Sequence, residues 1–204
     1  METNDKNPIF VPKIVHIHGE IDDTNAAKAI DQMYAVRSYM KETVVINERV
    51  MIEERSAKAT ILLKKNPEIT LRVSSTGGGV YDMLSILDTM ENLKRTIAIK
   101  TIATGYVMSA AVPLIAFGTK GRRFAGKRCQ FMIHGIAGGA YGKLVEIVET
   151  TKHLKHLQKL YIEALLATTN FPPKKFEEIV KSRGEFYFTS QEALKFGIID
   201  KIID

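Results

Sequence analysis

The 204-residue chain has no tryptophan, one cysteine, only six prolines and no long uninterrupted apolar run. A single cysteine, Cys129, excludes an internal disulfide and a cysteine-based metal cluster, so a reducing compartment is the expected home. The longest apolar stretch, Val107 to Phe117, is broken by Ser109 and Pro113 and is too short to span a bilayer. The segment Met1 to Asn7 lacks the pattern of a signal peptide, which makes a cytoplasmic protein without a membrane partner the expectation. The net charge of +6 raises nucleic acid as a partner, but there is no aromatic platform, and the basic groups Lys64-Lys65, Lys94-Arg95, Lys120 to Arg123, Lys127-Arg128 and Lys174-Lys175 are scattered. They read as solvated faces, and no nucleic-acid role is expected.

What is present suits a folded domain. With 45% hydrophobic and 25% charged residues, the chain is expected to form one domain over residues 1–204. Residues Lys13 to His18 alternate as a strand, with Val15 and Ile17 on one face and Ile14, His16 and His18 on the other; the two histidines are expected to be surface residues. Asp22, Asp23 and Thr24 can cap a helix from Asn25 to about Met40. Val44, Val45 and Ile46 look strand-like, and a second helix is expected from about Asn47 to Lys65, stopped by Asn66-Pro67.

The pattern then becomes plainer. A strand Ile69 to Val73, a helix Val80 to Leu93 and a strand Thr96 to Ile102 make a β-α-β unit, whose strands should be parallel. A turn at Gly105 should lead into a helix Met108 to Phe117, and a turn-rich basic stretch Gly118 to Gly126 into a strand Lys127 to Ile133. Lys143 to Thr168 carries Leu144, Ile147, Val148, Leu154, Leu157, Tyr161 and Leu165 at helical spacing. Such a helix reaches roughly 35 to 40 Å, more than a small sheet covers, so part of its apolar stripe should need a second copy of the chain. His153 and His156 on it are expected to be solvated or in subunit contacts. A helix Lys174 to Ser182, a strand Glu185 to Phe188, a helix beginning at a capping box on Ser190 and a strand Ile198 to Ile203 complete the chain.

Three stretches carry chemistry. The run Ser74-Ser75-Thr76-Gly77-Gly78-Gly79-Val80 closes a strand and can bring bare amides against a substrate backbone. Gly105 to Ala111 puts Ser109 near a helix start, where unpaired N–H groups favour a developing oxyanion. Gln130 to Gly135 ends a strand on His134, a base placed where strand gives way to loop, and the following glycines make a loop able to clamp an extended peptide. Sites of open α/β sheets lie beyond the carboxyl ends of the strands, where these stretches fall.

These motifs, with Gly19 to Asp23, Lys120 to Phe124, Gly138 to Gly142 and Thr189 to Ala193 leading to Gly197-Ile198-Ile199-Asp200, resemble the ClpP-type serine peptidases of the crotonase-like superfamily. The resemblance implies an α/β chain with the ClpP/crotonase-like fold, repeated β-α-β units and a long projecting handle helix, the handle element covering about residues 135–170. It implies Ser109 as nucleophile, His134 as general base, and the Gly78 and Ala110 amides as oxyanion hole. Gly77, Gly79 and Gly135 would bind the substrate strand. Counting back four residues from Ser190, as the family does for its acid, gives Phe186; Glu185, one residue earlier, resembles the spacing of some phage-type relatives and takes the role of acid.

No metal and no organic cofactor is implied. The implied partners are polypeptide substrates, further copies of the chain in stacked rings, and a Clp-type ATPase that unfolds the substrate. Two departures from the family pattern stand out: an interval around residues 39–59 longer by roughly twenty residues than the family's, where the helices that bind the ATPase usually lie, and Thr76 in place of the usual loop proline. The alternatives are a catalytically inactive ring subunit, suggested by the displaced acid, an acyl-CoA enzyme of the wider superfamily, and a phage capsid-maturation protease acting in a host cytoplasm.

Overall fold

The computed structural model describes residues 14–54 and 68–204. Strand β1 (Ile14–Ile21) buries Val15 and Ile17 and exposes His16 and His18, the period-two pattern of a half-buried strand. Helix α1 runs without a break from Asp23 to Glu54. The Asp22 carboxylate accepts from the Asn25 N–H at 2.7 Å and caps it. The expected division near Val44 to Ile46 is therefore absent. No glycine or proline lies between Asp23 and Glu54, and β-branched residues lower helix propensity too little to end a helix. The later part of the expected second helix, residues 55–65, and Lys13 lie outside the described residues.

The β-α-β unit is as the periodicity indicates. Strand β2 (Glu68–Gly78) is parallel to both β1 and β3 (Ala98–Met108), with helix α2 (Val80–Lys94) connecting β2 to β3. Met83, Ile86, Leu87, Met90 and Leu93 form the buried face of α2, which packs on α1 and β3. Strand β3 runs through the turn expected at Gly105. Its register with β2 slips between the pairs Val73↔Ala103 and Ser75↔Val107, so the extra residues bulge at Gly105, whose φ of +66° suits glycine.

That bulge has a topological consequence. Before it, β3 pairs with β4 (Arg123–Gly126); beyond it, β3 pairs with β5 (Gln130–His134). The basic stretch expected to be a turn thus supplies a strand. β5 continues into an antiparallel pairing with β6 (Glu185–Thr189), and β4 pairs with the closing strand β7 (Lys201–Ile203).

Arg123 is not a solvated basic residue. It is 1% exposed, its Nε and Nη2 donate to Asp200 at 2.9 and 2.6 Å, and its Nη1 donates to the Ala116 and Thr168 carbonyls. Burial alone would push the Asp200 carboxyl up, but the Arg123 guanidinium and the Arg123 and Gly121 amides hold it down at about 2. The pair ties β4 to the last turn before β7.

The remaining helices are the short, wholly buried α3 (Ala111–Ala116), the long α4 (Leu144–Leu166), α5 (Pro173–Ser182) and α6 (Ser190–Lys195). The cap of α6 is Thr189, whose side chain accepts from the Glu192 N–H. Ser190, expected in that role, is buried, with its hydroxyl between the Gly126 and Cys129 carbonyls at 2.8 and 3.0 Å. The first buried residue of α4 is Leu157. Before it, Leu144 is 77% and Val145 72% exposed, so the outer half of this apolar stripe is uncovered in the single chain. His153 is exposed and stacks on Tyr81, with ring centroids 6.0 Å apart. Among the described residues no helix is long and apolar enough to cross a membrane.

Candidate active site

The three chemical stretches meet where the carboxyl ends of β2, β3 and β5 come together. Ser109 follows β3 directly, two residues ahead of α3, and its φ is +50°. For a residue with a Cβ this left-handed conformation is uncommon, and here it forms a sharp strand-to-helix turn that leaves the serine side chain prominent. The Ser109 N–H donates to the Met132 carbonyl at 2.8 Å, and its own carbonyl accepts from Val112 at 3.0 Å. The turn is therefore fastened to β5 on one side and to α3 on the other.

The first bond sets the distance to the histidine. Met132 and His134 are alternate residues of β5, so anchoring Ser109 to Met132 places the serine beside the strand's last residue. His134 Nε2 lies 2.8 Å from Ser109 Oγ, and both side chains are half-buried. The glycine run supplies the third wall. Gly77 has φ +95°, and a Cβ on it would come within 2.7 Å of both the Met108 carbonyl oxygen and Ser109 Cβ. Only a residue without a side chain permits that approach.

A cavity of about 230 Å³ opens over the pair, lined by Thr76, Gly78, Val80, Ser109, Ala110, His134, Gly135, Ile136, Ala137 and Tyr161. Of the glycines expected to meet substrate, Gly78 and Gly135 line it, while Gly77 lies beneath Ser109 and Gly79 donates its N–H to the Ile21 carbonyl at 2.7 Å. Among the described residues the Ala110 N–H has no hydrogen-bond acceptor, so it is free to serve a ligand oxygen.

A chain with this motif order, this serine turn and this sheet matches the family model described as Clp protease over residues 39–204. The chain belongs to the Clp protease family. Among relatives of this chain is the ATP-dependent Clp protease proteolytic subunit 1 of Prochlorococcus marinus subsp. pastoris, 28% identical over 193 residues that cover 90% of this chain and 94% of that one. The protein of the same name from Prochlorococcus marinus strain MIT 9312 is 28% identical over 190 residues, with the same shares covered. The α/β architecture with its mostly parallel sheet agrees with the ClpP/crotonase-like fold expected from the motifs.

Glu185 stands directly opposite His134 in the β5–β6 ladder, which puts both side chains on one face of the sheet. Its carboxylate nevertheless accepts from the Tyr187 hydroxyl at 2.7 Å, two residues along the same strand, and no hydrogen bond or ion pair joins it to His134. That carboxylate is the first cause of a raised Tyr187 pKa. Phe186, four residues before Ser190, packs in an aromatic cluster with Phe171, Phe188 and Phe196.

Tyr161 is a site residue that sequence reasoning missed. In the chain it reads as one more member of the long apolar stripe. In the fold it is 2% exposed, donates its hydroxyl to the Ser109 carbonyl at 3.2 Å and lines the cavity, and burial pushes its pKa far up. Cys129, the other nucleophilic side chain nearby in sequence, is buried with its pKa pushed up to about 12 and lies outside this cavity. No cluster of three His, Cys, Asp or Glu side chains able to hold a metal ion occurs among the described residues.

Proposed function

We propose that this member of the Clp protease family is a serine endopeptidase acting on extended polypeptides. The observation that carries the reading is the 2.8 Å contact between Ser109 Oγ and His134 Nε2 on the wall of an open cavity. With Nε2 unprotonated, the imidazole accepts the Ser109 proton as the oxygen attacks a peptide carbonyl. The Ala110 and Gly78 amides hold the tetrahedral oxyanion, and His134 returns the proton to the leaving amine. Water, activated by the same imidazole, then hydrolyses the acyl-enzyme. The reaction needs no metal or organic cofactor.

A substrate strand would lie between the glycine run at Gly77 to Gly79 and the segment beginning at Gly135, pairing through main-chain hydrogen bonds. Glu185 is the acid of the reading. Rotation of its side chain away from Tyr187 would bring the carboxylate toward the imidazole of its cross-strand neighbour and fix the tautomer that leaves Nε2 free. The names of the two relatives support a proteolytic subunit that works with an ATPase, and the uncovered residues Leu144, Val145 and Val148 support a ring-forming homo-oligomer joined through α4. A cytoplasmic location belongs to the same reading.

One observation favours a second reading, an inactive subunit that only builds the ring: the Glu185 carboxylate is engaged by Tyr187. A fluorophosphonate probe separates the two. The endopeptidase labels once per chain at Ser109, loses the label in Ser109→Ala, and cleaves an unfolded protein such as casein. A wild-type chain that assembles but neither labels nor cleaves is the inactive subunit.

A further inference from the structure

The inner end of α4 touches the site at two places that no step of the proposed reaction uses. From one side of the helix the Tyr161 hydroxyl reaches the Ser109 carbonyl at 3.2 Å. One turn earlier, Gln158 Oε1 accepts from the Ile136 N–H at 2.7 Å, two residues beyond His134. Residues three apart share a helix face, so one rigid element holds both the segment carrying the serine and the segment carrying the histidine. Both contacts are part-buried: Tyr161 is 2% exposed, and among the described residues the buried Gln158 Nε2 has no acceptor.

We infer that Tyr161 and Gln158 are positioning residues that set the distance between Ser109 and His134, with α4 acting as the spacer. The inference rests on the endopeptidase reading for its kinetic consequence, but its geometric content is independent of it. Ser109 is held at a positive φ by its own backbone bonds to Met132 and Val112. The carbonyl it presents to Val112 also accepts the Tyr161 hydroxyl, and a second donor on that oxygen resists rotation of the Ser109–Ala110 peptide toward an ordinary conformation. Gln158 performs the matching task across the cavity, where the chain after His134 leaves the sheet. Tyr161 also packs against Phe176 of α5, with centroids 5.8 Å apart, so the hydroxyl is delivered from a buried, packed ring.

The test uses the full-length chain with Tyr161→Phe, which keeps the ring and removes one hydroxyl. A single neutral hydrogen bond corresponds to about a five-fold effect. The expected result is a fall of that size in kcat and in the rate of fluorophosphonate labelling, with KM for a peptide substrate unchanged. A merely structural contact would lower the melting temperature and leave the labelling rate of the folded protein alone, and that result overturns the inference. Should Tyr161→Phe fail to fold, Gln158→Met is read in the same way: slower labelling supports the spacer, an unchanged rate refutes it. If the wild-type chain never labels, the endopeptidase reading fails, and crystal structures still decide the inference. A longer Oγ–Nε2 separation or a relaxed Ser109 φ in Tyr161→Phe upholds it, and an unaltered site ends it.

Discussion

Replacing Gly77 by alanine tests whether the glycine run is needed for the geometry of the serine. The new Cβ would stand 2.7 Å from Ser109 Cβ and from the Met108 carbonyl oxygen, and 3.0 Å from the Ala110 nitrogen. Two of these neighbours are backbone atoms that cannot swing aside, so β2 and the serine turn must separate by about 0.7 Å to restore ordinary contact. Misplacing a nucleophile by an amount of that order costs about 10- to 100-fold in rate. The backbone also has φ +95°, and a side chain there adds strain of about 1 kcal/mol. Gly19→Ala separates the two effects, because Gly19 has φ +83° but nothing within 4 Å of its would-be Cβ. Both variants should melt a few degrees below wild type. Only Gly77→Ala should react slowly with the fluorophosphonate and cleave peptide slowly. Equal labelling rates in the two variants, or a wild-type rate in Gly77→Ala, would refute the steric argument.

Other outcomes follow from the same structure. Asp200→Asn leaves the 1%-exposed Arg123 without its counter-charge, which should cost about 3 kcal/mol in thermal or denaturant unfolding while sparing the labelling rate of the folded protein. The Asp200 carboxyl is held at about 2, below its ordinary 3.8, so its stabilising contribution is complete above that ordinary value and is lost as pH falls toward 2. Acid unfolding followed by circular dichroism should lose that pH dependence in Asp200→Asn. Cys129, with its pKa near 12, should resist iodoacetamide at pH 8 in the native protein, so alkylation should not reduce activity. Leu144→Glu together with Val145→Glu should leave the chain folded and shift its sedimentation toward smaller species, because these side chains are exposed in the single chain.

How much of the molecule is legible in the sequence differs from element to element. The strand β1, the unit β2-α2-β3 and the long helix α4 show in the spacing of their apolar residues, because burial of one face imposes a period of two or 3.6 on the sequence. The site pair is legible too. Ser109 and His134 each close a β-rich run beside small residues, and that placement at a strand end suits a reacting side chain better than a packing one. The bulge at Gly105 is not legible, since a single glycine marks a turn and a bulge equally well. Nor is the buried state of Arg123, whose partner Asp200 is 77 residues away.

The sequence by itself determined the parallel α/β plan, the order of the glycine run, serine and histidine, and the kinship with Clp proteases, because each is written in local pattern. Only the tertiary structure decided that Ser109 takes a left-handed turn, that Glu185 stands opposite His134 in the β5–β6 ladder, and that Tyr161 reaches back 52 residues to the serine carbonyl. Local pattern reports which face of an element is buried. Which atoms meet across that buried face depends on the packing of elements far apart in the chain, and no spacing within one element encodes it.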